Sequence, residues 1–400
     1  MMIKTNVRRI ITVSILSCLC LSQNMKAQGS MVTDTLKVCK SVDNSSAKEE
    51  KGLKHWWNSL IHGNVDRTFE RAIDLSFAAA PCYTNESGLG IGGMATALYR
   101  LDRRDSIMQP SDISLSGSAT LKGVYTLTVK GNNHFRGNRS RLTYSLQLMH
   151  KPLDFWGLSY EACDNNTLSE YTKQKVAWQS DFVYKLTKHF HVGAAFNINY
   201  TRLLKAQNME YMEGQKSHYL FTGIGVSLVY DSRDFILNPK RGSYVMLREV
   251  FYPKLLSSYN RNLATTTLIA DNYQPLWKGG LLAFDFYGQL NRECTPWTMR
   301  EYVGSGTSRM RGYYEGRYVD CSQIESQLEL RQHITGRAGF VVWGGVANVF
   351  RSLDKFDIKH TLPNYGLGLR FEFKHNANVR FDYGFGKHSA GFVCQFAEAF

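Results

Sequence analysis

Between His191 and Thr201 the chain alternates. Val192, Ala194, Phe196, Ile198 and Tyr200 fall on one side, and His191, Gly193, Ala195, Asn197, Asn199 and Thr201 on the other. A period of two marks an extended strand, whose successive side chains point to opposite faces. The pattern recurs at 223–231, where Ile224, Val226, Leu228 and Tyr230 oppose small and polar residues and Val229 is the exception, and again at 142–149, 365–373 and 379–386. A soluble two-sheet sandwich alternates in the same way, so other features must decide. The faces opposite the apolar ones carry Glu325, Glu329, Arg331, Arg370, Glu372, Arg380 and Asp382. A sandwich core buries that many charges only at heavy desolvation cost, whereas a polar lumen accepts them. Tyr, Phe and Trp gather at segment ends, Phe400 among them, as in the girdle of a barrel set in lipid. The expected fold is all-β: a single-chain transmembrane antiparallel β-barrel.

Sixteen strands are expected, near 88–100, 112–121, 124–135, 141–151, 155–163, 172–186, 189–203, 219–233, 242–256, 260–277, 279–294, 322–336, 338–351, 361–373, 377–387 and 390–400. Short turns at 121–124, 151–155, 186–189, 336–338 and 373–377 are expected inside, and long loops at 101–111, 203–218, 294–322 and 351–361 outside. Ahead of the barrel, Lys4, Arg8 and Arg9 precede the apolar run Ile10–Leu21, which reads as a cleavable export signal over 1–27. Residues 28–71 read as a flexible segment with a short amphipathic helix at 53–62, and 72–400 as the outer-membrane barrel. His55 and His62 on that helix read as solvated, since no third ligand is in view.

The formal net charge of +14 falls to +10 once the signal is removed. The basic clusters are short, so the expected partners are outer-membrane lipid and lipopolysaccharide and not nucleic acid. Of eight cysteines, Cys18 and Cys20 lie in the signal, and the other six form no CxxC pair, so neither metal nor cofactor is expected. His134, His150, His218 and Ser140 have no hydrolase motif around them, which leaves an enzyme the weakest reading.

The longest outer loop holds the most specific segment, Gly304-Ser305-Gly306-Thr307-Ser308-Arg309-Met310-Arg311-Gly312-Tyr313-Tyr314-Glu315-Gly316-Arg317-Tyr318-Val319-Asp320. Two others accompany it: Tyr230-Asp231-Ser232-Arg233-Asp234 with Asn238-Pro239-Lys240-Arg241-Gly242, and Asn378–Gly386 leading to Phe396 and Phe400. Together, over residues 72–400, they resemble the outer-membrane assembly and secretion superfamily typified by BamA and TamA, the bacterial surface antigen family. The resemblance implies that the loop folds into the lumen, its tip Arg311, Gly312 and Tyr313 held by wall carboxylates. Asp382 and Glu329 are the preferred partners of Arg311, with Glu325 and Glu372 as further candidates; a guanidinium is a rigid fork suited to such pairing. It also implies a weak seam between first and last strands, placed here at 88–100, with Gly88, Gly90 and Gly92, and at 390–400. Cys294 and Cys321 flank the loop with 26 residues between them. Paired, they would staple its base for about 3–4 kcal/mol; unpaired, they are two buried thiols.

One departure from the family stands out. The periplasmic POTRA modules that precede the barrel in BamA do not fit within residues 28–71. The expected function is outer-membrane protein assembly, insertion or translocation, with nascent outer-membrane proteins and a separate module-bearing subunit as partners. The alternative is a channel, an anchor or a structural subunit.

Overall fold

The computed structural model describes residues 72–400 apart from 85–86, 106–107, 235–237, 293–294, 305–308, 375–376, 397 and 399. The signal and amphipathic helix expected at 1–27 and 53–62, the histidines His55 and His62, and Cys294 lie outside the described residues. Eleven strands run in chain order as β1 (Ile73–Thr84), β2 (Gly88–Tyr99), β3 (Ser111–Thr120), β4 (Tyr125–His134), β5 (Ser140–Phe155), β6 (Ser169–Lys185), β7 (Phe190–Ala206), β8 (His218–Asp231), β9 (Gly242–Tyr252), β10 (Leu263–Trp277) and β11 (Gly280–Asn291). A separate two-stranded ribbon, β12 (Glu301–Val303) and β13 (Tyr318–Asp320), follows. Then come β14 (Ser322–Thr335), β15 (Ala338–Phe350), β16 (Leu362–Lys374), β17 (Ala377–Gly386) and β18 (Ser389–Phe396). Every pairing is antiparallel, and outside the ribbon the strands form one sheet in which β1 meets β18 to close a sixteen-stranded barrel.

The alternation is read out directly. Along β8, Ile224, Val226 and Leu228 are exposed on the outside, while Ser227 and Val229 are buried inside. Val229, the exception in the sequence, is thus a lumen residue. Exposed Ile91, Leu247, Leu367 and Leu369 extend the apolar outer surface around the barrel. No described helix is long and apolar enough to cross a membrane; the strands do the crossing.

The expected number of barrel strands is right through two errors that cancel. β1 precedes the first expected strand, because Ala78-Ala79-Ala80-Pro81 is too small and irregular to show alternation. Proline is tolerated there because an edge strand can spare an N–H. Conversely, 155–163 is no strand: β5 runs through Phe155, and helix α1 (Tyr160–Asn165) follows. Its start is set by Ser159, whose side chain accepts a hydrogen bond from the Ala162 N–H at 3.3 Å.

These shifts reassign two connections. Because successive strands antiparallel to each other alternate ends, 100–110 lies with the short turns, whereas 121–124 lies with the long loops. The expected turn at 151–155 is simply β5. The connections at 186–189 and 336–337 do share the turn end, and those at 207–217, 292–321 and 351–361 the loop end.

An arginine placed on the apolar outside should cost far more than one placed in the lumen. Val226→Arg, at a position 61% exposed, is expected to destabilise the vesicle-inserted barrel by about 2–4 kcal/mol in urea titration. Thr128→Arg, which lines the lumen cavity, is expected to leave the midpoint nearly unchanged.

Candidate functional site: a loop tip locked to the lumen wall

The connection from β11 to β14 spans 292–321 and is too long to close as a turn. It folds on itself first. β12 and β13 pair Glu301 with Asp320, Tyr302 with Val319 and Val303 with Tyr318, and the ribbon carries the tip between them. Tyr302 and Val303 pack with Met310, Tyr313, Tyr318 and Val319 against Ala347, Val349 and Leu362 of the wall.

At the tip Arg311 is fully buried. Its guanidinium donates to Asp382 Oδ2 at 2.8 Å and to Glu329 Oε1, and it lies 3.7 Å from the centroid of the Trp343 ring. The carboxylates are themselves shared. Glu329 accepts from Arg331 at 2.9 Å, and Asp382 from Arg370 at 2.5 Å and Arg380 at 3.0 Å. β14, β15, β16 and β17 therefore each supply a group to one network. The backbone is held too, since Asn364 Nδ2 donates to the Arg311 carbonyl at 3.1 Å.

Gly312 makes this approach sterically possible. Its φ is +110°, and a Cβ there would sit 2.6 Å from the Gly384 carbonyl carbon. Reciprocally, a Cβ on Gly384 would meet the Arg311 oxygen at 2.2 Å. The adjoining Tyr313 hydroxyl donates to the Pro363 carbonyl and accepts from the Lys387 N–H, both at 2.7 Å.

The remaining loop residues fasten it elsewhere. Arg309 forks onto Asp285 of β11 at 2.6–3.1 Å. Glu315 pairs with Lys151 of β5; burial opposes its ionisation, but Lys151 and Lys173 outweigh that and hold its carboxyl below the ordinary range. Gly316 turns the chain at φ +81°. Arg317 donates to the Cys163 carbonyl of α1 and stacks on Trp156. Tyr318 donates to Asp164 at 3.2 Å, and Asp320 accepts from the Tyr160 N–H at 3.4 Å. Cys321 is buried, which pushes its thiol up to about 11.

Other expected residues fall outside the lock. Glu325 accepts from Gln323, and Glu372 sits at the far end of β16, where its N–H donates to the Arg337 carbonyl; neither is placed on Arg311. Asp231, Arg233 and Asp234 form the β8–β9 turn at the opposite end. Arg233 pairs with Asp231 at 2.9 Å and stacks on Tyr244, and Asp234 accepts from the Lys240 and Arg241 N–H groups. Pro239 is buried beside Asn238, and Gly242, at φ +106°, lets the chain pass Ser232.

The seam needs correction. The first barrel strand is β1, so Gly88, Gly90 and Gly92 lie on β2, all three paired with β1 and the last two also with β3. The small residue at 90 serves close packing against β3, where a Cβ would meet the Ala119 oxygen at 2.5 Å. At the other edge β18 ends at Phe396. Phe400 has left the strand and turned inward: its carbonyl accepts from Arg331 at 3.1 Å, and Glu398 accepts from Arg370 at 2.8 Å. Trp343, Asn364, Gly384 and the Arg309–Asp285 pair were not singled out in the sequence. Gly384 shares its alternation face with Asp382, which is the signal that could have found it.

Removing the guanidinium leaves two buried carboxylates short of a partner. Arg311→Ala is expected to cost about 3–5 kcal/mol of loop docking, read as altered heat-modifiable mobility and faster cleavage within 300–320 by added protease. A second expectation concerns Glu301, which accepts from Tyr287 at 3.2 Å and from Gln289. Burial pushes its carboxyl up to about 7. The docked loop therefore holds a proton that the released loop gives up. The Glu301 contribution to docking is full below about 4.5 and is lost as pH rises through 7, a range in which Glu315 stays ionised. Protease resistance of the loop should fall between pH 5 and pH 8, and Glu301→Gln should flatten that fall.

Comparison with known proteins agrees with this architecture. Residues 111–391 match the Omp85 superfamily domain. Among solved structures, BamA from Haemophilus ducreyi lacking POTRA domains 1–3 superposes with a TM-score of 0.52 at 12% identity, covering 81% of this chain and 70% of that one. CdiB from Acinetobacter baumannii gives 0.53 at 10% identity, covering 82% and 60%, and CdiB from Escherichia coli 0.52 at 10%, covering 82% and 63%. No curated protein sequence matches. At such identities the superpositions speak for the fold alone, but the domain match covers more than half of the chain. With its closed sixteen-stranded barrel, apolar exterior and loop locked into the lumen, the chain belongs to the Omp85 superfamily of outer-membrane β-barrels.

Proposed function

We propose that the protein assembles, inserts or translocates other polypeptides at the outer membrane, with the long loops outside and the short turns in the periplasm. The observation that carries this reading is the seam. Among the described residues β1 and β18 share two register pairs, Tyr83 with Cys394 and Thr84 with Val393, against twelve between β1 and β2 and eight between β17 and β18. Edge strands left unpaired offer N–H and C=O groups to an incoming strand, the physics of β-augmentation. The loop end favours sideways exit. There Arg317 and Tyr318 grip α1, Tyr160 stacks on His360 at 3.9 Å, and the Trp297 indole donates to the Lys216 carbonyl, so several loops interlock. Nascent outer-membrane proteins are the cargo in this reading, and a subunit bearing periplasmic modules is the partner.

One observation favours the channel reading. Beside the loop, the lumen holds a cavity of about 970 Å³ lined by Gln147, Lys173, Lys175 and Gln179 of the wall and by Glu301, Tyr302 and Glu315 of the loop.

The register itself supplies the test. Tyr83→Cys places a thiol opposite Cys394, and mild oxidation should link them. Under the assembly reading, oxidised cells stop accumulating newly made outer-membrane barrels, and reductant or the additional change Cys394→Ser restores them. Normal accumulation with the seam cross-linked overturns it. Unchanged conductance of the cross-linked protein in planar bilayers, together with that normal accumulation, would establish the channel.

A further inference from the structure

The basic excess of the chain is not spread evenly over its two ends. The connections at the turn end (100–110, 135–139, 186–189, 232–241, 278–279 and 336–337) contain eleven Lys and Arg against three Asp and Glu. Those at the loop end contain thirteen against eleven. The turn end thus carries a formal excess of eight on far fewer residues.

The three acids there are already subtracted in that excess, and each also accepts from backbone. Asp102 accepts from the Arg104 N–H at 2.9 Å. Asp105 accepts from Met108 at 3.1 Å and from Gly137 at 2.7 Å, tying two turns together. Asp234 holds the Lys240 and Arg241 N–H groups. Meanwhile Arg103, Arg104, Arg136, Arg139, Lys188, Lys240, Arg241, Lys278 and Arg337 are exposed. They occupy six successive turns and so ring most of the rim. Just above them the outer wall exposes Phe135, Tyr184, Leu186, Phe190, Tyr230 and Trp277.

A ring of cations beneath an aromatic girdle matches the level of a bilayer where acyl chains give way to phosphate. We propose that this rim binds anionic phospholipid headgroups of the leaflet it faces. A soluble acidic partner would need one concentrated patch; charge distributed around six turns, continuous with the apolar belt, fits a surrounding lipid shell. Lipopolysaccharide, expected from net charge alone, would face the loop end, where cations and acids nearly balance. This placement rests on the orientation given under the proposed function, and it does not require any assembly activity.

The full-length protein would be reconstituted in nanodiscs of phosphatidylcholine with one-quarter phosphatidylglycerol, and retained lipid counted by native mass spectrometry. The expected result is several-fold enrichment of phosphatidylglycerol that shrinks with added salt. The combined variant Arg103→Gln, Arg104→Gln, Lys240→Gln and Arg241→Gln should lose most of it. Lysine at 103, 104 and 241 should keep it, which separates charge from folding. A loop-end control, Lys254→Gln, Arg261→Gln, Lys355→Gln and Lys359→Gln, should not change it. Equal retention of both lipids, loss only in the loop-end variant, or binding of polyglutamate without lipid preference would overturn the proposal, the last making the rim a protein-docking surface. An epitope inserted after Lys278, probed by antibody on intact and permeabilised cells, reports orientation separately. Detection on intact cells would refute the orientation while leaving the lipid count to stand by itself.

Discussion

A charge buried without partners cannot persist in a folded protein, and Arg311 is a charge carried to the middle of the lumen. Two carboxylates from one stretch of wall, Glu329 on β14 and Asp382 on β17, meet it there. Each is itself bound by further arginines, so the network is complete only when four wall strands and the loop are all in place. Taking out any one member leaves the others buried and short of a partner. The loop, in turn, fills that part of the barrel and organises the outer end. Through Arg317, Tyr318 and Asp320 it fixes helix α1, and Lys387, two residues before β18, reaches Asp164 of the same helix.

The network also reaches the seam. Arg331 and Arg370, which brace Glu329 and Asp382, bind Phe400 and Glu398 just beyond the end of β18. The segment just past the strand that closes the barrel is thus held by side chains of the same wall that receives the loop tip. Among the described residues the closing pair β1–β18 shares two register pairs, and each of the other fifteen barrel pairings is longer.

Much of this was legible along the chain, and the unevenness has physical causes. Alternation survives wherever one side of a strand meets lipid and the other the lumen, so β7, β8, β16 and β17 could be placed within a few residues. Where side chains are small, as in Ala78-Ala79-Ala80, a strand carries no pattern, and β1 was invisible; its loss moved the seam to β2 and gave Gly88, Gly90 and Gly92 a role they do not have. Bulky, apolar Phe155–Cys163 imitated a strand although Ser159 caps a helix within it. Acidic residues on the inner face could be enumerated, but Glu325 and Glu329 lie on the same face of β14, and nothing along the sequence says which of them stands at the depth of the loop tip.

The sequence by itself determined the strand class, the polarity of lumen and exterior, and the loop motif, since these depend only on the order of side chains. The tertiary structure decided which strands meet at the seam, that Phe400 turns inward, which carboxylates take Arg311, and at which end the positive charge collects. Those are matters of closure and depth. A ladder fixes each strand's register against its neighbours, and only when the sheet returns to its own beginning do residues distant in the chain come to the same height.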